Sequence, residues 1–197
     1  MNHNLHTMPI QSICIYCGSR PGNSPEYVQT AALIGKQLAR RHITLLFGGG
    51  NVGLMGTVAN SCLDNGGKVI GVIPSFMNDK ELGLERCTEL IWVGSMHERK
   101  NKLAELSQAF IALPGGPGTM DEFFEMFTWL QLQLHQKPVA LFNINGYYNG
   151  LLSFMQHMVN EGFLKQAHFD QIIVADDIEL LLEQLNAYEP VLEGKRG

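Results

Sequence analysis

The run Ala109-Phe110-Ile111-Ala112-Leu113-Pro114-Gly115-Gly116-Pro117-Gly118-Thr119-Met120-Asp121-Glu122 decides the fold. Five apolar residues without a polar break read as a strand covered on both faces, which is the habit of parallel sheets. Glycines and prolines then stop the strand, and an amphipathic stretch predicted as a helix over 120–135 follows. The same strand, turn and helix punctuation recurs in both directions. Apolar runs at 10–17, 43–47, 68–73, 89–93, 138–142 and 172–174 join 109–113 as seven expected strands. Helical periodicity is expected at 24–41, 52–65, 96–107, 147–161 and 177–187 as well. Ser24 before Pro25 reads as a helix start. Strands and helices alternating this regularly, through right-handed crossovers, predict one α/β domain: a doubly wound, Rossmann-like, mostly parallel sheet of about seven strands. The domain is expected over 10–188, between a flexible segment at 1–9 and a tail at 189–197.

Composition narrows the function. The 197 residues carry 14 Lys+Arg against 19 Asp+Glu, a formal charge of −5, with no basic block, so a nucleic-acid polymer is not an expected partner. No apolar run reaches the ~20 residues that span a bilayer, and the start has neither a basic nor an apolar leader region, so a cytoplasmic protein is expected. Cys14 and Cys17 form a C-x-x-C, but both lie in an apolar strand rather than at a helix start, and reduced structural thiols are the expectation. No second pair completes a four-cysteine zinc site, and no metal is expected.

In such a sheet, ligands sit beyond the carboxyl ends of the strands, where helix N-termini favour anions. Three loops there are glycine-rich. The first, residues 17–22, offers Ser19 beside Gly18. The second, Gly48-Gly49-Gly50-Asn51-Val52-Gly53-Leu54-Met55-Gly56, contains G-x-G-x-x-G, with Gly49, Gly50 and Gly53 as candidate ligand contacts. The acid that would hold a dinucleotide ribose about 20 positions on is missing, and tight helix–strand packing by these glycines is the alternative. The third, 113–122, lacks the Gly-Lys-Ser/Thr of a Walker A loop. Thr119 with Glu122 forms a capping box, which would make Glu122 a helix cap; otherwise Asp121 and Glu122 put two carboxylates beside an anion site. Ser95 and Glu98 form another capping box, and Arg99 and Lys100 in that first turn oppose the helix dipole unless an anion offsets them. His97 reads as a surface or capping residue. Asp121 and Glu122 point about 100° apart on a helix, so one carboxylate working with a cation is expected, with Glu122 the candidate.

The combination of GGGNVGLMG at 48–56, Met96-His97-Glu98-Arg99-Lys100, and PGGPGTMDE at 114–122 resembles the LONELY GUY family, whose pattern is PGGxGTxxE, over nearly the whole chain. The family comprises cytokinin riboside 5′-monophosphate phosphoribohydrolases, once labelled lysine decarboxylases. The resemblance implies hydrolysis of the N-glycosidic bond of an adenine nucleoside 5′-monophosphate, AMP or an N6-modified relative, to free base and ribose 5-phosphate, with no cofactor. It implies catalytic roles for Arg99 and Glu122 and nucleotide contacts at Lys100, Gly115, Gly116, Gly118 and Thr119, and it aligns Glu81 with a substrate contact. Pro117 stands where the family often has an aromatic or aliphatic residue and removes one N–H; Asp121 stands where Glu is common. A homodimer is implied, with the apolar helix at 120–135 as an interface element, and Trp129 and Met96 are candidate walls for an N6-prenyl group. The alternative is a non-catalytic nucleotide or cofactor carrier on the same fold. A pyridoxal-phosphate decarboxylase is a third reading, for which no Schiff-base lysine is singled out.

Overall fold

The computed structural model describes residues 9–80 and 83–190. Seven strands, β1 (Ser12–Tyr16), β2 (Thr44–Phe47), β3 (Val69–Pro74), β4 (Glu89–Val93), β5 (Ala109–Ala112), β6 (Val139–Phe142) and β7 (Ile172–Ala175), form one sheet in the order β4-β3-β2-β1-β5-β6-β7. Every pairing is parallel. The chain winds from β1 outward to β4, then returns to pair β5 with the other side of β1, Ile13 opposite Ala109 and Tyr16 opposite Ala112. The point where winding reverses therefore lies between β1 and β5, where ligands bind in open α/β sheets.

Alternation along β1 shows why the apolar runs are continuous. Ile13 and Ile15 enter one hydrophobic layer with helices α1 (Pro25–Arg40), α2 (Gly53–Asp64) and α7 (Ile178–Asn186). Cys14 and Tyr16 enter the opposite layer with α3 (Met96–Leu106), α4 (Pro117–Gln131) and α5 (Asn149–Asn160). Successive side chains of a strand face opposite ways, so a sheet helix-covered on both sides needs apolar residues at every position. Cys14 and Cys17 fall into opposite layers, both are free, and burial pushes both thiols up, against a redox pair.

The helix starts follow the caps. Ser24 Oγ accepts the Glu26 N–H at 3.3 Å, and Asp177 Oδ1 accepts that of Leu180 at 2.9 Å. A short α6 (Gln166–Phe169), which periodicity cannot register, precedes β7, and a 3-10 turn at Ser75–Lys80 follows β3. Strand β4 departs from expectation. It is an edge, not covered on both faces, and leaves Glu89 and Trp92 exposed.

Candidate functional site

Helix α4 begins earlier than its periodicity suggests. Gly116 is the N-cap, without a side-chain cap bond, and Pro117 is the first helical residue. Thr119 and Glu122 are thus inside the helix, and the expected capping box does not form. A proline at the first helical position gives up only an N–H that helix geometry leaves unpaired anyway. The helix ends at Gln131 rather than His135, where Gln133 adopts a positive φ of 56°. With Gly116 as cap, the N–H groups of Gly118 and Thr119 belong to the unpaired first turn and, with the helix dipole, face an incoming anion.

Freed from capping, Glu122 meets Arg99. At the start of α3, Ser95 Oγ accepts the Glu98 N–H at 3.2 Å, while Glu98 Oε2 accepts the N–H of Gly94 at 2.7 Å, one residue before the partner that a capping box would use. This cap aims Arg99 inward beneath the strand ends. Its Nε donates to the carbonyl of Val72 at 3.1 Å, and its Nη2 lies 3.3 Å from Glu122 Oε1. The side chains of Arg99 and Glu122 are only 12% and 13% exposed. Burial pushes the Glu122 carboxyl above its ordinary range; the positive charges of Arg99 and Lys100 oppose this without reversing it. A carboxylate so placed is a stronger proton acceptor than one in water.

Lys100, one residue on, meets a different pair of α4 carboxylates. Its Nζ lies 2.7 Å from Asp121 Oδ2 and 3.4 Å from Glu125 Oε2. The two cations that oppose the α3 dipole are therefore balanced by three carboxylates of α4. Burial alone would lower the Lys100 pKa, but hydrogen bonding and attraction from Asp121 and Glu125 raise it overall, the opposite of what a Schiff-base lysine needs.

Ser19, Met96, Arg99, Gly116, Gly118, Thr119, Asp121 and Glu122 line one cleft of about 310 Å³ over the β1–β5 crevice. Lys100 and Gly115 are not in its lining, nor are Gly49, Gly50 and Gly53. Those glycines make close backbone contacts instead. Gly49 (φ 79°) accepts the Leu84 N–H through its carbonyl at 2.8 Å, Gly50 bridges to Gly83, and a Cβ on Gly53 (φ 54°) would strike the Ser19–Arg20 backbone. Gly48 has a role the motif did not reveal: a Cβ there would collide with the Arg99 guanidinium. Met55 and Met77 join Met96 in the cleft wall, and Trp129 instead packs against the hydrophobic layer under α4. No spacing rule marks Met77 or Met55, although Met55 lies within the second glycine-rich stretch. His97 is exposed, as expected. Glu81 lies outside the described residues. Among those residues, no group of three or more His, Cys, Asp or Glu side chains could hold a metal ion.

The doubly wound sheet, the open helix N-terminus at the β1–β5 crevice and the largely buried Arg–Glu pair define an α/β protein of the Rossmann-like class. Residues 55–185 match the family described as possible lysine decarboxylase. A protein of Rhodococcoides fascians named cytokinin riboside 5′-monophosphate phosphoribohydrolase is 49% identical over 86% of this chain and 86% of its own. An Oryza sativa subsp. japonica protein, named a probable enzyme of that kind, is 44% identical over 97% of this chain and 84% of its own. The chain belongs to this LONELY GUY family of cytokinin riboside 5′-monophosphate phosphoribohydrolases. Among solved structures, the molybdenum cofactor binding protein of Rippkaea orientalis superimposes with a TM-score of 0.68 at 25% identity, over 92% of this chain and 98% of its own.

Proposed function

We propose that the protein hydrolyses the N-glycosidic bond of adenine-type nucleoside 5′-monophosphates, AMP or an N6-modified relative, to free base and ribose 5-phosphate. One observation carries the reading: the buried Glu122, 3.3 Å from Arg99, shares a cleft with the open N-terminus of α4. The relatives' names supply the substrate class.

In this reading the 5′-phosphate rests on the Gly118 and Thr119 N–H groups, with Gly116 and Ser19 beside it. That contact, remote from the reacting bond, holds C1′ near Glu122. As the bond to the base lengthens, positive charge spreads over C1′ and the ring oxygen, and the Glu122 carboxylate stabilises it. Water adds its oxygen to C1′ and passes a proton to Glu122, while the base departs with the bonding electron pair and is then protonated. Arg99 holds Glu122 in place and keeps part of it ionised despite burial. The three methionines, unbranched and adaptable, form the wall for the base.

We also propose a cytoplasmic homodimer, in keeping with the reduced cysteines. Among the described residues, no helix is long and apolar enough to cross a membrane. The test of function is chromatographic: free base is expected from AMP and from isopentenyladenosine 5′-monophosphate with the wild type, and a loss of at least about a hundredfold with Glu122→Gln or Arg99→Ala. The structural likeness to molybdenum cofactor binding proteins favours, as a second reading, a carrier that holds its ligand without turnover. Tight AMP binding with no base released by folded wild type would select it.

A further inference from the structure

Three successive carbonyls of the loop after β5 are each engaged by a donor from another segment of the chain. Tyr148 Oη donates to the Leu113 carbonyl at 2.6 Å, the Gly18 N–H to that of Pro114 at 3.0 Å, and Tyr147 Oη to that of Gly115 at 2.6 Å. The two tyrosines are adjacent in sequence, yet both reach the loop. A left-handed turn at Asn145 (φ 51°) and Gly146 (φ 68°) precedes them. Non-glycine residues seldom adopt that conformation, Asn being among those that tolerate it, so the turn needs support from outside. The support is present: the Asn145 side chain donates to Glu26 on α1, Asn143 Oδ1 accepts the Tyr148 N–H at 2.7 Å, and Tyr27 meets the Tyr147 ring edge-on at 6.0 Å.

In a trans peptide unit the N–H points opposite the C=O. Fixing the Gly115 carbonyl toward Tyr147 therefore fixes the Gly116 N–H in the other direction, at the cap of α4. Gly116 sits between two recesses. One is the cleft holding Glu122, and the other, about 410 Å³, is lined by Tyr27, Tyr147 and Gly115.

We infer that Tyr147 is a positioning residue that locks the Gly115 carbonyl outward so that the Gly116 N–H stays aimed at the 5′-phosphate, while Tyr148 braces the loop through the Leu113 carbonyl, whose peptide unit carries no N–H because Pro114 follows. The inference rests on the proposed use of that loop as the phosphate site. Tyr148 is buried and also part of the hydrophobic layer, so its loss would disturb packing. Tyr147 is 44% exposed and separates positioning from folding.

The experiment is Tyr147→Phe, which keeps the ring contacts and removes only the hydroxyl. Binding of ribose 5-phosphate is measured by calorimetry, alongside AMP kinetics and thermal melting. The Kd of ribose 5-phosphate and the KM of AMP are expected to rise together by roughly three- to tenfold, the range of one hydrogen bond, with kcat changed by less than about twofold and the melting midpoint nearly constant. An unchanged Kd overturns the inference, as does a wild type that binds no ribose 5-phosphate. A fall in kcat and melting midpoint with no separate effect on phosphate binding assigns Tyr147 an ordinary structural role and overturns it too. Because ribose 5-phosphate binding needs no turnover, a wild type without hydrolase activity but with the Tyr147-dependent Kd would refute the hydrolase reading and leave the clamp standing.

Discussion

At Gly48 the backbone itself forms part of the site, since the Arg99 guanidinium occupies the space a side chain would need. Gly48→Ala is expected to displace Arg99 from Glu122 and lower base release by at least about tenfold, with a much smaller effect on melting. A Gly48→Ala enzyme of wild-type kcat/KM would refute that account. Glu122 adds a pH prediction. Its folded-state pKa is raised by burial, so ionisation costs stability: the penalty is absent at low pH and grows as pH rises from the unfolded value through the folded one. Glu122→Gln mimics the protonated state. Its melting midpoint relative to wild type should climb across that window, while the acid limb of wild-type activity lies above the ordinary carboxylate value of 4.5. Parallel melts of the two proteins from about pH 4 to pH 8 check the sign. At this scale the sequence exposed residue types with unusual neighbours, Arg99 and Lys100 at a helix start and Glu122 after three glycines. It did not expose Gly48 or Met77, whose roles arise from contacts between elements distant along the chain.

Helices α3 and α4 meet through charge as much as through packing. Lys100 lies between Asp121 and Glu125, with side-chain exposures of 14% for Lys100 and 23% for Glu125. Removing the cation would leave Glu125 facing a hydrophobic layer without its counter-charge. Lys100→Ala is therefore expected to cost about 1–3 kcal/mol in urea denaturation, less than a fully buried pair because water reaches both groups. Glu125→Gln placed on top should recover part of that loss; if the two substitutions simply add, the pair is not coupled. The elements themselves were legible, because a two-sided parallel sheet and its amphipathic helices leave different periods in the sequence. Their ends were less so. Thr119 and Glu122 have the spacing of a capping box, but Pro117 fits the first helical position so well that α4 starts three residues earlier, and the supposed cap becomes an ion-pair partner of Arg99.

Strand order belongs to the whole molecule, and it placed the site. Periodicity gives seven strands but not which of them are neighbours, so the reversal between β1 and β5, where the cleft opens, became visible only in the folded chain. The same scale decides assembly. The apolar residues of α4 pack into the layer beneath it, with Phe123, Met126, Phe127 and Leu130 buried, whereas just past the helix end Leu132 and Leu134 remain 63% and 67% exposed. Two large aliphatic side chains this exposed, beside a helix already covering the sheet, leave apolar surface for a second copy to bury. Sedimentation is expected to show a dimer at micromolar concentration, and Leu132→Lys combined with Leu134→Lys should shift it to monomer with far-ultraviolet circular dichroism unchanged. Because a symmetric interface uses each substitution twice, the paired change places four lysines at one contact, enough repulsion and lost burial to dissociate an interface that depends on this patch. A dimer that survives the double substitution would move the interface elsewhere, to the exposed edge at β4 carrying Trp92, and a wild-type monomer would remove the homodimer altogether.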